Sequence, residues 1–304
     1  MAPAISGLVK QGLRTVGHYR RALAQTTFPG VAVLCYHGVR ADEDAPDSLA
    51  LRHLHVPAST FESHCRVIRE CCDPISLEDW RAAAAGRACL PKRPVLITFD
   101  DGYRSVVTRA MPILAAYELP AAVFVCTGPM DSRRMLWFDD VAAHHGPDAL
   151  ENWKEKTYAA WLAECSITPK VSDDDPRALM TPGELKALAG MKGIEIGGHT
   201  ARHPILANAP AAEQRREIEQ NLNAIAEWTG VTVRAFAYPN GRPGVDYNAD
   251  TLRILQDLHV DTAFTTRPAF AGADEPALER SRFILLDDTS DAELAHRLTY
   301  SWPR

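Results

Sequence analysis

Apolar residues recur along this chain in two rhythms. Short runs occupy positions 31–36, 94–99, 121–127, 194–196, 231–237, 262–265 and 283–286. Runs of this length, rich in Val, Ile and Phe, read as strands buried on both faces, the pattern of a parallel sheet. Between them, apolar positions fall at helical spacing: Phe61, Cys65, Ile68 and Cys71, then Val106, Ile113, Leu114 and Tyr117, then Ile218, Leu222 and Ile225, then Leu252, Leu255 and Leu258. Start signals accompany several of these helices. Ser59 with Glu62 and Ser76 with Asp79 match capping boxes, Thr181-Pro182-Gly183-Glu184 opens a helix with a capping residue and proline at the first position, and Gly190 is a stop. Repeated strand–helix units with right-handed connections predict an α/β barrel.

Three stretches depart from that rhythm. Residues 40–56, with Asp42, Glu43 and Asp44, read as a surface loop. Residues 129–180 scatter Trp137, Trp153 and Trp161 among charges and contain Ser172-Asp173-Asp174-Asp175-Pro176. That stretch is too short to bury its own core comfortably, so it reads as a helical insertion in a single domain spanning 29–304. Residues 1–28 form a basic amphipathic segment in which Ile5, Leu8, Val9, Leu13 and Val16 recur near helical spacing, while Lys10, Arg14, Arg20 and Arg21 precede any acid. Two fates fit it: packing on the domain's own surface, the commoner one, or peripheral contact with an anionic membrane.

Composition narrows the function. A chain of 304 residues, 46% of them hydrophobic, can bury a full core, and a net charge of -6 disfavours general nucleic-acid binding. Seven cysteines without paired-motif spacing point to reduced thiols. No run is long enough to span a bilayer, and there is no cleavable-leader pattern; the expected location is cytoplasmic, or the inner face of the membrane if residues 1–28 bind lipid. Neither a serine-nucleophile elbow nor a phosphate or dinucleotide loop occurs.

The candidate chemistry gathers where apolar runs stop. The run at 94–99 ends in Asp100-Asp101-Gly102. Two adjacent carboxylates repel each other, and a cation bound by one, with the other acting as base, would offset that; an acidic turn is the plainer reading of these residues alone. His199 and His203 stand four apart after Gly197-Gly198, and His37 follows the run at 31–36. Two histidines with one carboxylate make a three-ligand set that leaves positions open, the arrangement of a catalytic metal. The adjacent His144 and His145 cannot share a helix face and make a poor pair.

Thr98-Phe99-Asp100-Asp101-Gly102 followed by His199-Thr200-Ala201-Arg202-His203, with the Tyr238-Pro239-Asn240-Gly241 turn, resembles the motifs of the polysaccharide deacetylase family, the NodB-homology carbohydrate esterases (carbohydrate esterase family 4). The resemblance spans roughly residues 30–290 and is nearest to the permuted branch of exopolysaccharide deacetylases. It implies a distorted (β/α)7-type barrel that removes the N-acetyl group from a sugar in a polysaccharide, oligosaccharide or lipid-linked precursor. Alternatives are deacylation or deformylation of a lipid-linked amino sugar, or an inactive carbohydrate-binding relic. It implies a divalent ion, commonly zinc, on Asp101, His199 and His203, with Asp100 as base. The oxyanion donor falls on the backbone of Asn240, with Tyr238 lining the groove. Two departures follow. The C-terminal Leu-x-His acid of many members is absent from Arg282-Phe283-Ile284-Leu285-Leu286-Asp287, which leaves His37, after Tyr36, as the preferred acid and His296 as the weaker candidate. The arginine that precedes the third motif and orients the base is replaced by Ala237, leaving Arg282, grouped with Asn240 and Tyr238 on the substrate side, or Arg104. Asp139 and Asp140, beside Trp137 and Phe138, fit either a groove lip or an anchor for the insertion.

Overall fold

The computed structural model describes residues 6–44, 49–165 and 168–300. Among the described residues ten strands are formed: β1 (Ala32–Tyr36), β2 (Gly38–Arg40), β3 (His55–Pro57), β4 (Asp73–Pro74), β5 (Pro94–Phe99), β6 (Ala121–Val125), β7 (Ile194–Gly198), β8 (Ala235–Ala237), β9 (Thr262–Phe264) and β10 (Phe283–Ile284). Seven run parallel in the order β10-β1-β5-β6-β7-β8-β9, with β4 beside the start of β5. Arg280 bridges Phe264 at the end of β9, and three residues later Phe283 pairs with Leu34 of β1. Residues 280–284 therefore touch both edges and curl the sheet into a (β/α)7-type barrel.

The period of two along each strand sorts the side chains. Val33, Leu96, Ala122, Phe124, Ala235, Ala237 and Phe264 form one buried cluster inside the curl. Leu34, Tyr36, Ile97, Phe99, Val123 and Phe236 join the larger cluster with the helices. Continuing the inner parity past Val33 and Leu96 brings in Cys35 and His37 on one strand, Thr98 and Asp100 on its neighbour. The backbone N–H of Asp100 donates to the carbonyl of Tyr36 (2.9 Å), so these two strand ends are locked together.

Some local expectations change. The Ser76/Asp79 and Thr181/Glu184 boxes form. The one at Ser59 does not: its helix, Ala58–Cys71, is capped by Pro57 without a side-chain bond, because Asp42 accepts from the Ser59 hydroxyl (2.7 Å) and Glu62 accepts from Tyr117. Residues 40–56 are not wholly loop, since β2 and β3 pair in parallel there. The strands expected at 231–237 and 283–286 shorten to β8 and β10.

Residues 129–180 contribute the helices Trp137–His145, Ala149–Lys154 and Tyr158–Cys165, and Trp137 and Trp161 are buried in the main core. Helices Gly7–Thr15 and His18–Ala24 pack against the C-terminal helix Asp291–Tyr300; Ile5 lies outside the described residues. Lys10 pairs with Glu293, Arg14 with Asp291 (3.4 Å), and Tyr19 bonds His296 (3.2 Å). His296 is thereby held among these helices and does not line the cavity that holds Asp100. It is dropped as a candidate acid.

Candidate active site

At the C-terminal ends of β1, β5, β7 and β8 lies a cavity of about 430 Å³. Asp100, Asp101, His37, His199, His203, Tyr238 and Asn240 all line it. Residues as far apart in sequence as 37 and 240 therefore meet at the mouth of one barrel, where this architecture places its chemistry.

Asp101, His199 and His203 converge. Asp101 Oδ1 lies 3.3 Å from His199 Nε2 and 3.5 Å from His203 Nε2. Donor atoms held about 2.0–2.1 Å from a zinc ion at the tetrahedral angle stand about 3.3–3.4 Å apart, so these spacings fit a metal site. Asp101 Oδ1 is buried and accepts no hydrogen bond among the described residues, which is the state of a ligand atom. His199 Nδ1 meets the carbonyl of Ala237 at 2.7 Å, which puts the ring proton on Nδ1 and frees the Nε2 lone pair for the shared point. Burial would push the Asp101 carboxyl up, but the surrounding imidazoles of His199, His37 and His203 outweigh it and hold the group well below the usual carboxylate range. Burial pushes His203 down to about 4, keeping it neutral and able to donate its lone pair.

The backbone is bent to make this site. Seven non-glycine residues among those described have positive φ, and four of them are Asp101 (74°), Thr200 (66°), His203 (61°) and Asn240 (57°). Such conformations are strained for side-chain-bearing residues and persist only where surroundings enforce them. Helix Ala211–Thr229 supplies part of that enforcement: Asn221 Oδ1 accepts from His199 N (3.0 Å), and buried Glu217 accepts from Arg202 N (3.0 Å), Arg202 Nε (2.8 Å) and the Tyr158 hydroxyl (2.9 Å). The insertion supplies the rest. Trp137 Nε1 donates to the His203 carbonyl (2.8 Å), and the Phe138 ring packs edge-on against the His203 ring. These supports were not legible in the sequence. Only the four-residue spacing of Glu217 and Asn221 on one helix face hinted at a shared task.

Asp100 is handled differently. Arg282, fully buried, reaches both of its oxygens (2.7 Å each) and also donates from Nε to the Thr265 carbonyl. Burial would raise the Asp100 carboxyl, but the guanidinium overrides it and keeps the group below its ordinary value. Of the two arginines considered, Arg282 is thus the one on the base, while Arg104 bonds Glu184 and the Asp173 carbonyl. Arg282 does not line the cavity, so a substrate-side place for it is corrected to one behind Asp100. A second cluster of potential donors, Cys35, His37 and Asp100, also exists. It is the poorer cation site, because Asp100 already has its counter-ion and burial drives the Cys35 thiol far above its ordinary value, leaving it protonated.

His37 lines the cavity with a buried Nδ1 that takes no hydrogen bond among the described residues. Asn240 lines it too, and its backbone N–H has no partner among the described residues. Tyr238 presents its ring, since its hydroxyl is spent on the Leu278 carbonyl (2.7 Å) and its face stacks on Tyr247 at 3.9 Å. Asp139 is no lip: it is buried, accepts from the Tyr103 hydroxyl (2.7 Å), and burial raises it to about 7. Asp140 pairs with His144 (3.0 Å). His53, Leu150, Lys154 and Arg242 also line the cavity and carried no motif that singled them out.

The profile of the polysaccharide deacetylase family matches residues 87–263, more than half of the chain, and the chain belongs to that family. Among individual relatives, the poly-β-1,6-N-acetyl-D-glucosamine N-deacetylase of Escherichia coli (strain K12) is 25% identical over 283 residues, covering 83% of this chain and 36% of the relative. The chain therefore spans about a third of that protein's length. The BpsB deacetylase domain from Bordetella bronchiseptica superposes with a TM-score of 0.58 at 25% identity, over 84% of this chain and 96% of that one. The Streptococcus pyogenes deacetylase PplD (TM-score 0.66, 22% identity, 88% and 98% covered) and IcaB from Ammonifex degensii (0.63, 19%, 90% and 99%) share the fold. The Escherichia coli relative accords with the exopolysaccharide-deacetylase branch.

Proposed function

We propose that this chain is a metal-dependent N-deacetylase of an N-acetylated hexosamine glycan. One observation carries the reading: Asp101, His199 and His203 share a point that fits a divalent ion, while Asp100 stands beside them clamped by Arg282 and outside that set. A zinc or similar ion held there would polarise the amide carbonyl and lower the pKa of a water molecule.

The chain's own groups do the rest. Asp100, kept ionised by Arg282, accepts the proton of the attacking water as its oxygen bonds to the acyl carbon. The N–H of Asn240 donates to the carbonyl oxygen as negative charge grows there. His37, on the same inner face, gives a proton to the nitrogen as the C–N bond breaks, because an amide anion is too basic to depart. Water is consumed, and acetate and a free amine leave. The aromatic faces of Tyr238, Trp137 and Phe138 offer apolar contact to a sugar ring.

The test is incubation of zinc-loaded protein with N-acetylglucosamine oligomers, N-acetylated lipid-linked sugars and their N-formyl counterparts, with detection of new amines. Chelator-sensitive amine release from the acetylated oligomers supports the reading. Release from the formyl substrates alone transfers it to deformylation, and no release from any substrate with zinc bound leaves a binding relic.

A further inference from the structure

Helix Gly7–Thr15 turns Leu13 to the core but leaves its other large apolar side chains outside. Its charged residues point inward, Lys10 to Glu293 and Arg14 to Asp291, while Leu8 and Val9 are 87% and 50% exposed and Val16, at its C-cap, is 62% exposed. A helix packed for stability alone does the reverse. Tyr300, another exposed hydrophobic side chain, lies at the end of the helix against which this one packs and bonds His18. These are four of the seven large hydrophobic side chains exposed among the described residues. Arg20 and Arg21, on the next helix, are exposed, and their guanidinium groups form no ion pair among the described residues.

We propose that this face docks onto an anionic lipid bilayer. The ion pairs to Glu293 and Asp291 hold the helix against the body of the protein and fix its apolar side outward. Leu8, Val9 and Val16 would enter the boundary between headgroups and acyl chains, Tyr300 would sit at headgroup level, and Arg20 and Arg21 would meet lipid phosphates. The apolar area is small and no helix among those described is long and apolar enough to cross a membrane, so the contact is peripheral and reversible. An exposed apolar helix side with unpaired cations on the adjoining helix fits an anionic bilayer better than a second copy of this chain, whose own arginines would repel.

Sedimentation of the full chain with vesicles tests this without any substrate, so it stands or falls apart from the catalytic reading. The protein should pellet with equimolar phosphatidylcholine and phosphatidylglycerol and far less with phosphatidylcholine alone. Arg20→Gln with Arg21→Gln should lower the partition coefficient roughly 25-fold, at about five-fold per arginine. Leu8→Glu with Val16→Glu should abolish pelleting while leaving the thermal unfolding midpoint within a few degrees of the parent, because both side chains are already in water. Wild-type protein that stays in the supernatant, or a Leu8→Glu/Val16→Glu variant that pellets like the parent, overturns the proposal. So does a dimer of the parent in analytical ultracentrifugation that the same variant dissolves, since the face would then belong to a second copy.

Discussion

Replacing Arg282 by methionine probes how this site keeps its base ionised. The guanidinium touches both oxygens of Asp100 at 2.7 Å, and both residues are buried. With charge centres about 4 Å apart and an effective dielectric near 20, the attraction is ~4 kcal/mol. Its loss should raise the midpoint of Asp100 by about three pH units from its position below the ordinary carboxylate range. The assay is the pH profile of kcat/KM for amine release, with zinc content measured on the same samples. The acid limb should move up by about that amount, so the rate loss is largest on the acid side of the profile and shrinks as the pH rises. Unfolding in urea should register the stranded carboxylate as a loss of about 3–5 kcal/mol at neutral pH. Arg282→Met combined with Asp100→Asn should recover most of that stability and none of the activity. An Arg282→Met enzyme whose acid limb does not move, or whose stability falls by less than about 1 kcal/mol, would refute the reasoning.

Other consequences follow from the same geometry. His37→Ala should bind zinc as the parent does and lose about 10²–10⁴-fold in turnover on an N-acetyl substrate, whereas near-normal turnover removes His37 as the acid. Glu217→Gln weakens the clamp on the loop from His199 to His203, so the zinc concentration for half activation should rise about ten-fold with kcat recovered at excess metal; loss of kcat at saturating metal would assign Glu217 another role. His55 is fully buried, neither ring nitrogen has a hydrogen-bond partner among the described residues, and burial pushes its pKa down to about 3. Between pH 3 and the ordinary value of 6.5 the unfolded chain binds a proton at this site that the folded chain does not. Stability is therefore complete above 6.5 and falls on acidification, by about 1.4 kcal/mol per pH unit from this group. His55→Leu should remove that share of the slope in urea titrations at pH 5 and 7 and leave neutral-pH stability within about 1 kcal/mol of the parent; an unchanged slope would contradict it.

What could be read from the sequence was what residue identity alone carries. Buried strands announce themselves as apolar runs, and a carboxylate pair with two spaced histidines has few other uses, so Asp100, Asp101, His199 and His203 could be assembled before any coordinates. Arg282 was reachable because the family resemblance calls for an arginine on the base and Ala237 stands at its usual position. The hold on His203 by Trp137 was not, because it links a helix of the insertion to a loop 66 residues on. Asn221 and Glu217 looked like ordinary polar positions of a long helix until the fold laid that helix against the histidine loop. The failed capping box at Ser59 has the same origin: Asp42, 17 residues earlier, takes the hydroxyl that a local rule assigns to the helix end.

The account stands on where a divalent ion binds, and anomalous diffraction at the zinc edge from zinc-soaked crystals locates it directly. The account predicts one strong peak within bonding distance of Asp101, His199 and His203, with Asp100 still paired to Arg282 and outside the coordination sphere. A peak held by Cys35, His37 and Asp100, or no peak in this cavity at saturating zinc, would contradict it.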